Sequence, residues 1–64
     1  MSETEQKIQT LKREIEQIEK DMKDAEERIK TAKEEDKSLL IHIISTGELE
    51  LIRLKGELEK LSTI

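Results

Sequence analysis

Residues 8–32 read IQTLKREIEQIEKDMKDAEERIKTA, and their apolar side chains recur at alternating spacings of three and four. Four consecutive heptads of this kind are typical of an α-helix that packs along one stripe against another helix. We call this stripe the first seam, and its members are Ile8, Leu11, Ile15, Ile18, Met22, Ala25, Ile29 and Ala32. The sequence therefore predicts an all-α fold held together by helix–helix contacts.

The first helix is predicted to span about residues 3–44. Ser2 followed by Glu5 fits a capping box, so the helix should begin just after Ser2. The seam is interrupted at Asp36 and resumes at Leu39 within a dense apolar block. The sequence contains no proline and no glycine before Gly47, so few local signals indicate an earlier break.

A corner is predicted at residues 45–48, formed by Ser45, Gly47 and Glu48. Ser45 and Glu48 fit a second capping box, and Ile44 and Leu49 fit the hydrophobic staple that accompanies it. A short second helix should follow over about residues 46–62. The alternative is one continuous helix with a slip in its heptad register.

The fold class predicted from these features is an all-α, lopsided helical hairpin or antiparallel coiled coil, with residues 1–64 as a single domain. Because the second helix is short, it can cover only the end of the first. The predicted hairpin core consists of Leu39, Ile43, Leu51, Leu54, Leu58 and Leu61.

Self-association is predicted because most of the first seam, Ile8–Ala32, would otherwise be exposed to water. In a parallel pair the flanking charges repel, as where Lys7 meets Lys12. In an antiparallel pair Lys7 of one copy meets Glu35 of the other and Lys12 meets Glu26, and both contacts attract. The expected assembly is an antiparallel homodimer or a higher helical bundle, with the first seam as its oligomer interface.

The composition argues against most chemistry. Cysteine and aromatic residues are absent, one histidine is present, and the formal net charge is −4. We therefore expect no catalytic residues, no metal site and no cofactor, and we consider nucleic acid an unlikely partner. No apolar run approaches the ~20 residues of a membrane span. A cytoplasmic location is the expectation.

Two segments near the end of the chain carry a resemblance to a known group of proteins. Thr46-Gly47-Glu48 followed by Arg53-Leu54-Lys55-Gly56-Glu57-Leu58-Glu59-Lys60-Leu61 resembles the end of small coiled-coil or helical-hairpin accessory proteins of tailed bacteriophages. In that group a glycine corner precedes an Arg-Leu-x-Gly-Glu-Leu-type helix. The resemblance covers about residues 46–61 and implies a viral protein of virion assembly, or an accessory protein.

Three functions follow as hypotheses. The first is a non-enzymatic helical assembly protein. It would self-associate through the first seam, Ile8–Ala32, and join a larger protein assembly. The second is an adaptor or inhibitor that binds a host protein through a helix face. The third, least favoured, is an oligomeric helical-hairpin sponge for a small anionic ligand, which would need a basic pocket between subunits.

Overall fold

The computed structural model describes residues 2–63, which form two long α-helices. Helix α1 spans Glu3–Ile29 and helix α2 spans Glu34–Ser62. They pack side by side into a rod of 47 × 17 × 12 Å. The predicted all-α helical hairpin is therefore confirmed. The outermost ends of the predicted domain, Met1 and Ile64, lie outside the described residues.

The predicted start of α1 is confirmed. Ser2 is the N-cap, and its side-chain oxygen accepts a hydrogen bond of 3.2 Å from the backbone N–H of Glu5. Glu3 and Glu5 lie in the first turn and Arg28 lies in the last turn. Each charge has the sign that the helix macrodipole favours at its end.

The predicted end of the second helix at about residue 62 is confirmed, but the predicted end of the first helix, the predicted start of the second and the predicted corner are wrong. The chain turns at residues 30–33, and Ser45, Gly47 and Glu48 lie inside a continuous α2. The turn is made by Lys33, which is the N-cap of α2 in an extended conformation with φ −73° and ψ 157°. Ser-x-x-Glu also occurs by chance on exposed helical turns, and Ser45 and Glu48 are both exposed. The second helix therefore has 29 residues and is not short.

Because α2 is long, it covers the first seam within the same chain. Leu11, Ile15 and Ala25 are buried, and Leu54 of α2 belongs to one core cluster with Leu11 and Ile15. A second chain is therefore not needed to cover this seam.

The face of α2 that meets α1 forms a second seam with the same alternating spacing. Its members are all buried or half-buried, and they are Lys37, Leu40, Ile44, Gly47, Leu51, Leu54, Leu58 and Leu61. Leu39 and Ile43 do not belong to it, and they are 62% and 41% exposed rather than in the core. Their placement in the core was wrong because it continued the register of α1 through the turn.

Gly47 lies at a close contact between the two helices. A Cβ atom added there would lie 2.6 Å from Cγ and 2.8 Å from Sδ of Met22, and 3.5 Å from Cγ2 of Ile18. Gly47 has no positive φ, so it is required for space and not for backbone conformation. Extending the register of this contact by heptads places Ala25 opposite Ile44 and Ile15 opposite Leu54.

The two glycines of α2 should respond oppositely to alanine. Gly56 has no atom within 4 Å of an added Cβ, so Gly56→Ala should stabilise the hairpin by about 1 kcal/mol through helix propensity. Gly47→Ala gains the same propensity but must displace Met22, so it should be at least 1 kcal/mol less stable than Gly56→Ala. Urea unfolding of both variants measures the difference. Equal stabilisation by the two alanines would contradict the close contact at Gly47.

Candidate interaction surface

The large apolar side chains that the described structure leaves exposed are all on α2. We call them the outer patch, and they are Leu39, Ile41, Ile43, Leu49 and Ile52. Leu49 and Ile52 are each 71% exposed. Single exposed aliphatic residues are ordinary on a protein surface, but five within fourteen residues of one helix are typical of a contact surface.

Three of the five members of the outer patch lie in an uncharged stretch near the start of α2. Residues 38–47, SLLIHIISTG, contain no Asp, Glu, Lys or Arg. Leu40 and Ile44 face α1 and are half-buried, whereas Leu39 and Ile41 are more exposed and Ile43 lies at the edge of the contact with α1. A helix that is apolar all round is normally covered on all sides. The hairpin covers only one side.

The exposed apolar surface is large for so small a chain. The exposed fractions of the five side chains add up to about three whole aliphatic residues. Fully burying one such residue stabilises a complex by about 1.5–3 kcal/mol, so covering the whole patch is worth roughly 5–9 kcal/mol before association entropy. The patch can therefore drive a specific association.

Helix α1 offers no comparable surface. Its outward positions carry polar and charged side chains, which pair along the helix in Arg28–Asp24 at 3.0 Å and Gln17–Asp21 at 3.0 Å. These contacts are exposed and contribute only about 0.3–0.5 kcal/mol each. The outward surfaces of the two helices thus differ in polarity, and only α2 presents large aliphatic side chains outward.

Charges of opposite sign border the outer patch along α2. Glu34, Glu35 and Asp36 fill the first turn before it. Arg53 lies after it and pairs with both Glu50 and Glu57. The hydrogen bond to Glu50, and then the charge of Glu50, raise the pKa of Arg53 above its usual value. The patch is therefore acidic at one end, and at the other end the charge of Arg53 is offset by two carboxylates.

A shallow groove runs beside the patch, between the two helices. Its apolar lining comes from Ile18 and Met22 of α1 and from Ile43 and Gly47 of α2, with His42 at its rim. Because Gly47 has no side chain, Met22 lies directly against α2 beside this groove. It extends the apolar surface sideways onto α1.

The residues predicted as an oligomer interface, and most of those predicted as the hairpin core, pack between the two helices of one chain. All of the first seam is buried or half-buried against α2, and Leu51, Leu58 and Leu61 pack against the core cluster around Leu54. The outer patch, in contrast, was not predicted as a surface. Leu49 was predicted to pack against Ile44 in a hydrophobic staple, but it is 71% exposed. Ile52 was not assigned to any surface, although neither residue fits the spacing of the second seam.

Two further findings concern the described residues 2–63. No three His, Asp or Glu side chains among them are grouped so that they could hold a metal ion. Neither helix has a stretch long and apolar enough to cross a membrane. The predictions of no catalysis, no cofactor and no nucleic-acid partner stay predictions.

The fold and the surface together define an all-α hairpin of two long helices with exposed aliphatic side chains on the second helix. Comparison with protein-family models, with curated proteins and with solved structures found no match to this chain.

Proposed function

We propose that this chain is a non-enzymatic helical interaction protein whose contact surface is the outer patch of α2. The observation that carries the proposal is the uncharged stretch 38–47, of which the hairpin covers only one side. The first seam is used inside the hairpin, so the partner binds on the opposite side of α2. A helix is the expected partner element, because aliphatic side chains at helical spacing fit between those of another helix.

The resemblance to accessory proteins of tailed bacteriophages supports a viral assembly or accessory role. The part of it carried by residues 53–58 is unaffected by the fold. The part that rests on a glycine corner is weakened, because Gly47 lies inside α2. A virion-assembly role therefore stays a proposal that rests on sequence resemblance alone.

The adaptor hypothesis uses the same surface. A helix of a larger host protein could lie on the outer patch, and the groove lined by Ile18, Met22 and Ile43 would widen its contact. The sponge hypothesis has less support. The Lys20 and Lys23 side chains border a surface hollow together with Asp24 and Glu27, so their charge is offset locally.

The double substitution Leu49→Glu/Ile52→Glu tests the contact surface. Both side chains are 71% exposed, so the hairpin should keep its helix content. Its free energy of unfolding should lie within about 0.5 kcal/mol of that of the parent when both proteins are monomeric. Complexes isolated from the producing cells should lose their partner, because burying two carboxylates without partners costs several kcal/mol. Native mass spectrometry of the isolated complexes measures this loss.

Lys23→Glu/Lys30→Glu, on the outer surface of α1 and at its end, is the matched control. It changes charge by a larger amount than the patch variant does and should leave the complexes intact. If the control removes the partner and the patch variant does not, the contact surface lies on α1 and the proposal is wrong.

A further inference from the structure

We propose that Met22 is a site of oxidative modification, at which a peroxide converts the thioether to the sulfoxide and so loosens the contact between the two helices. The oxidant belongs to the class of small peroxides, of which hydrogen peroxide is the simplest. The inference goes beyond the proposed function and does not rest on it, because it concerns the seam inside the hairpin and not the outer patch.

The composition makes methionine sulfur the group that a mild oxidant attacks first. The chain contains two methionines, Met1 and Met22, and no cysteine, tryptophan or tyrosine. Peroxides oxidise a thioether under mild conditions. The other members of the first seam are Ile, Leu and Ala, which such an oxidant leaves unchanged. Oxidation therefore reaches the first seam through Met22.

Met22 fills the space that Gly47 leaves on the opposite helix. A Cβ atom added at Gly47 would lie 2.6 Å from Cγ and 2.8 Å from Sδ of Met22. The sulfur therefore packs directly on the backbone of α2, and Cγ2 of Ile18 borders the same space. A further atom bonded to this sulfur has no room on the side of α2 unless the helices move apart.

Solvent reaches Met22 through two surface hollows, although the side chain belongs to the seam. Met22 is half-buried and not buried. One hollow is the groove beside the outer patch, which Met22 lines together with Ile43 and Gly47. The other hollow is lined by Met22 together with Glu26 and Leu51. A molecule as small as hydrogen peroxide can therefore approach the side chain while the hairpin stays closed.

The reaction is a two-electron oxygen transfer. A lone pair on Sδ of Met22 attacks one oxygen of hydrogen peroxide, so that an S–O bond forms as the O–O bond breaks. The hydroxide that leaves takes the proton from the transferred oxygen and becomes water. Sulfur is oxidised and the peroxide is reduced, and no other reactant is consumed. The product is a sulfoxide, which is polar where the thioether was apolar.

The sulfoxide cannot keep the contact with Gly47 and also be hydrated. Against Gly47 its oxygen would meet the apolar side chain of Ile18 and a helix backbone whose N–H groups are already hydrogen-bonded, so its burial is unfavourable. If the oxygen turns into one of the hollows to bind water, Cγ and Sδ of Met22 leave the space that they fill. Either outcome weakens the packing between the core cluster around Leu54 and the turn at residues 30–33.

Peroxide treatment of the full chain, with Met22→Leu as the matched control, tests the proposal. Leucine replaces methionine with little change of volume and forms no sulfoxide. Both proteins keep Met1, so oxidation there affects both alike. Peptide mass spectrometry should find one added oxygen atom on Met22 of the parent. The thermal midpoint of the treated parent should fall by at least about 4 °C, whereas that of treated Met22→Leu should stay within about 1 °C of its untreated value.

Reduction gives a second measurement that does not depend on the variant. Methionine sulfoxide reductases of both stereospecificities should remove the oxygen from Met22 and restore the midpoint of the parent. The inference is overturned if Met22 stays unmodified while Met1 is oxidised, or if Met22 carries the oxygen and the midpoint does not change. It is also overturned if treated Met22→Leu loses as much stability as the parent, or if reduction of Met22 leaves the midpoint low.

Discussion

Leu54→Ala is expected to remove a large part of the free energy of unfolding of the hairpin. Leu54 is 2% exposed, the lowest value among the described residues that form the core. It shares one cluster with Leu11 and Ile15 of the opposite helix, so its loss opens a cavity between the helices. A buried Leu→Ala substitution costs about 2–5 kcal/mol. A domain of 64 residues has roughly 3–10 kcal/mol to lose.

The effect is large because the core has few members. Only four side chains are buried in the described structure, and the seam residues around them are half-buried. Thermal unfolding followed by circular dichroism should show a fall of more than ten degrees in the midpoint. Glu16→Ala, on the exposed face of α1, is the control and should change stability by less than about 0.5 kcal/mol. Equal midpoints for the two variants would mean that Leu54 does not hold the helices together.

The first seam was enough to predict the fold class, because its heptad spacing is unbroken from Ile8 to Ala32. The second seam is just as regular but was harder to recognise. It contains Lys37 and Gly47 in place of apolar residues. Read backward from Leu51, the same spacing reaches Ile44 and Leu40, and this would have placed the register break between residues 32 and 37.

The turn itself carries weak local signals. Residues 30–33 contain no glycine and no proline. Thr31 is the only residue there of a type that commonly caps a helix, but the N-cap is Lys33, which makes no side-chain capping bond. The signal that was present is electrostatic. Arg28 and Lys30 lie where α1 ends, and Glu34, Glu35 and Asp36 lie where α2 begins. Charges of these signs mark a C-terminus followed by an N-terminus.

The outer patch could not be placed from periodicity, for a physical reason. A pattern of apolar residues gives the direction of the buried face only where polar residues mark the opposite face. Residues 38–47 lack charged residues on every face. The sequence shows the apolar block, but the faces of Leu39 and Ile43 depend on where the chain turns. The predicted turn at residues 45–48 lies well after the observed turn at residues 30–33, so both faces were predicted wrongly.

Proline substitutions at two positions should distinguish the observed turn from the predicted one. Thr46 would be the first residue of a helix after a corner at residues 45–48, where proline is favoured. In the structure Thr46 lies in the middle of α2. There, proline removes the hydrogen bond from the N–H of residue 46 to the carbonyl of His42, and its ring clashes with that carbonyl. Thr46→Pro should therefore cost about 3 kcal/mol or more and unfold much of the hairpin.

Glu34→Pro is the matched variant. Glu34 is the first residue of α2, and Lys33 before it is already in the extended conformation that a following proline requires. The substitution loses the exposed contact between Glu34 and Lys37 at 3.3 Å, which is worth only about 0.3–0.5 kcal/mol. Helix content and urea midpoint should therefore stay close to those of the parent. If Glu34→Pro unfolds the chain while Thr46→Pro is tolerated, the chain turns at residues 45–48, and both the continuous α2 and the outer patch built on it are wrong.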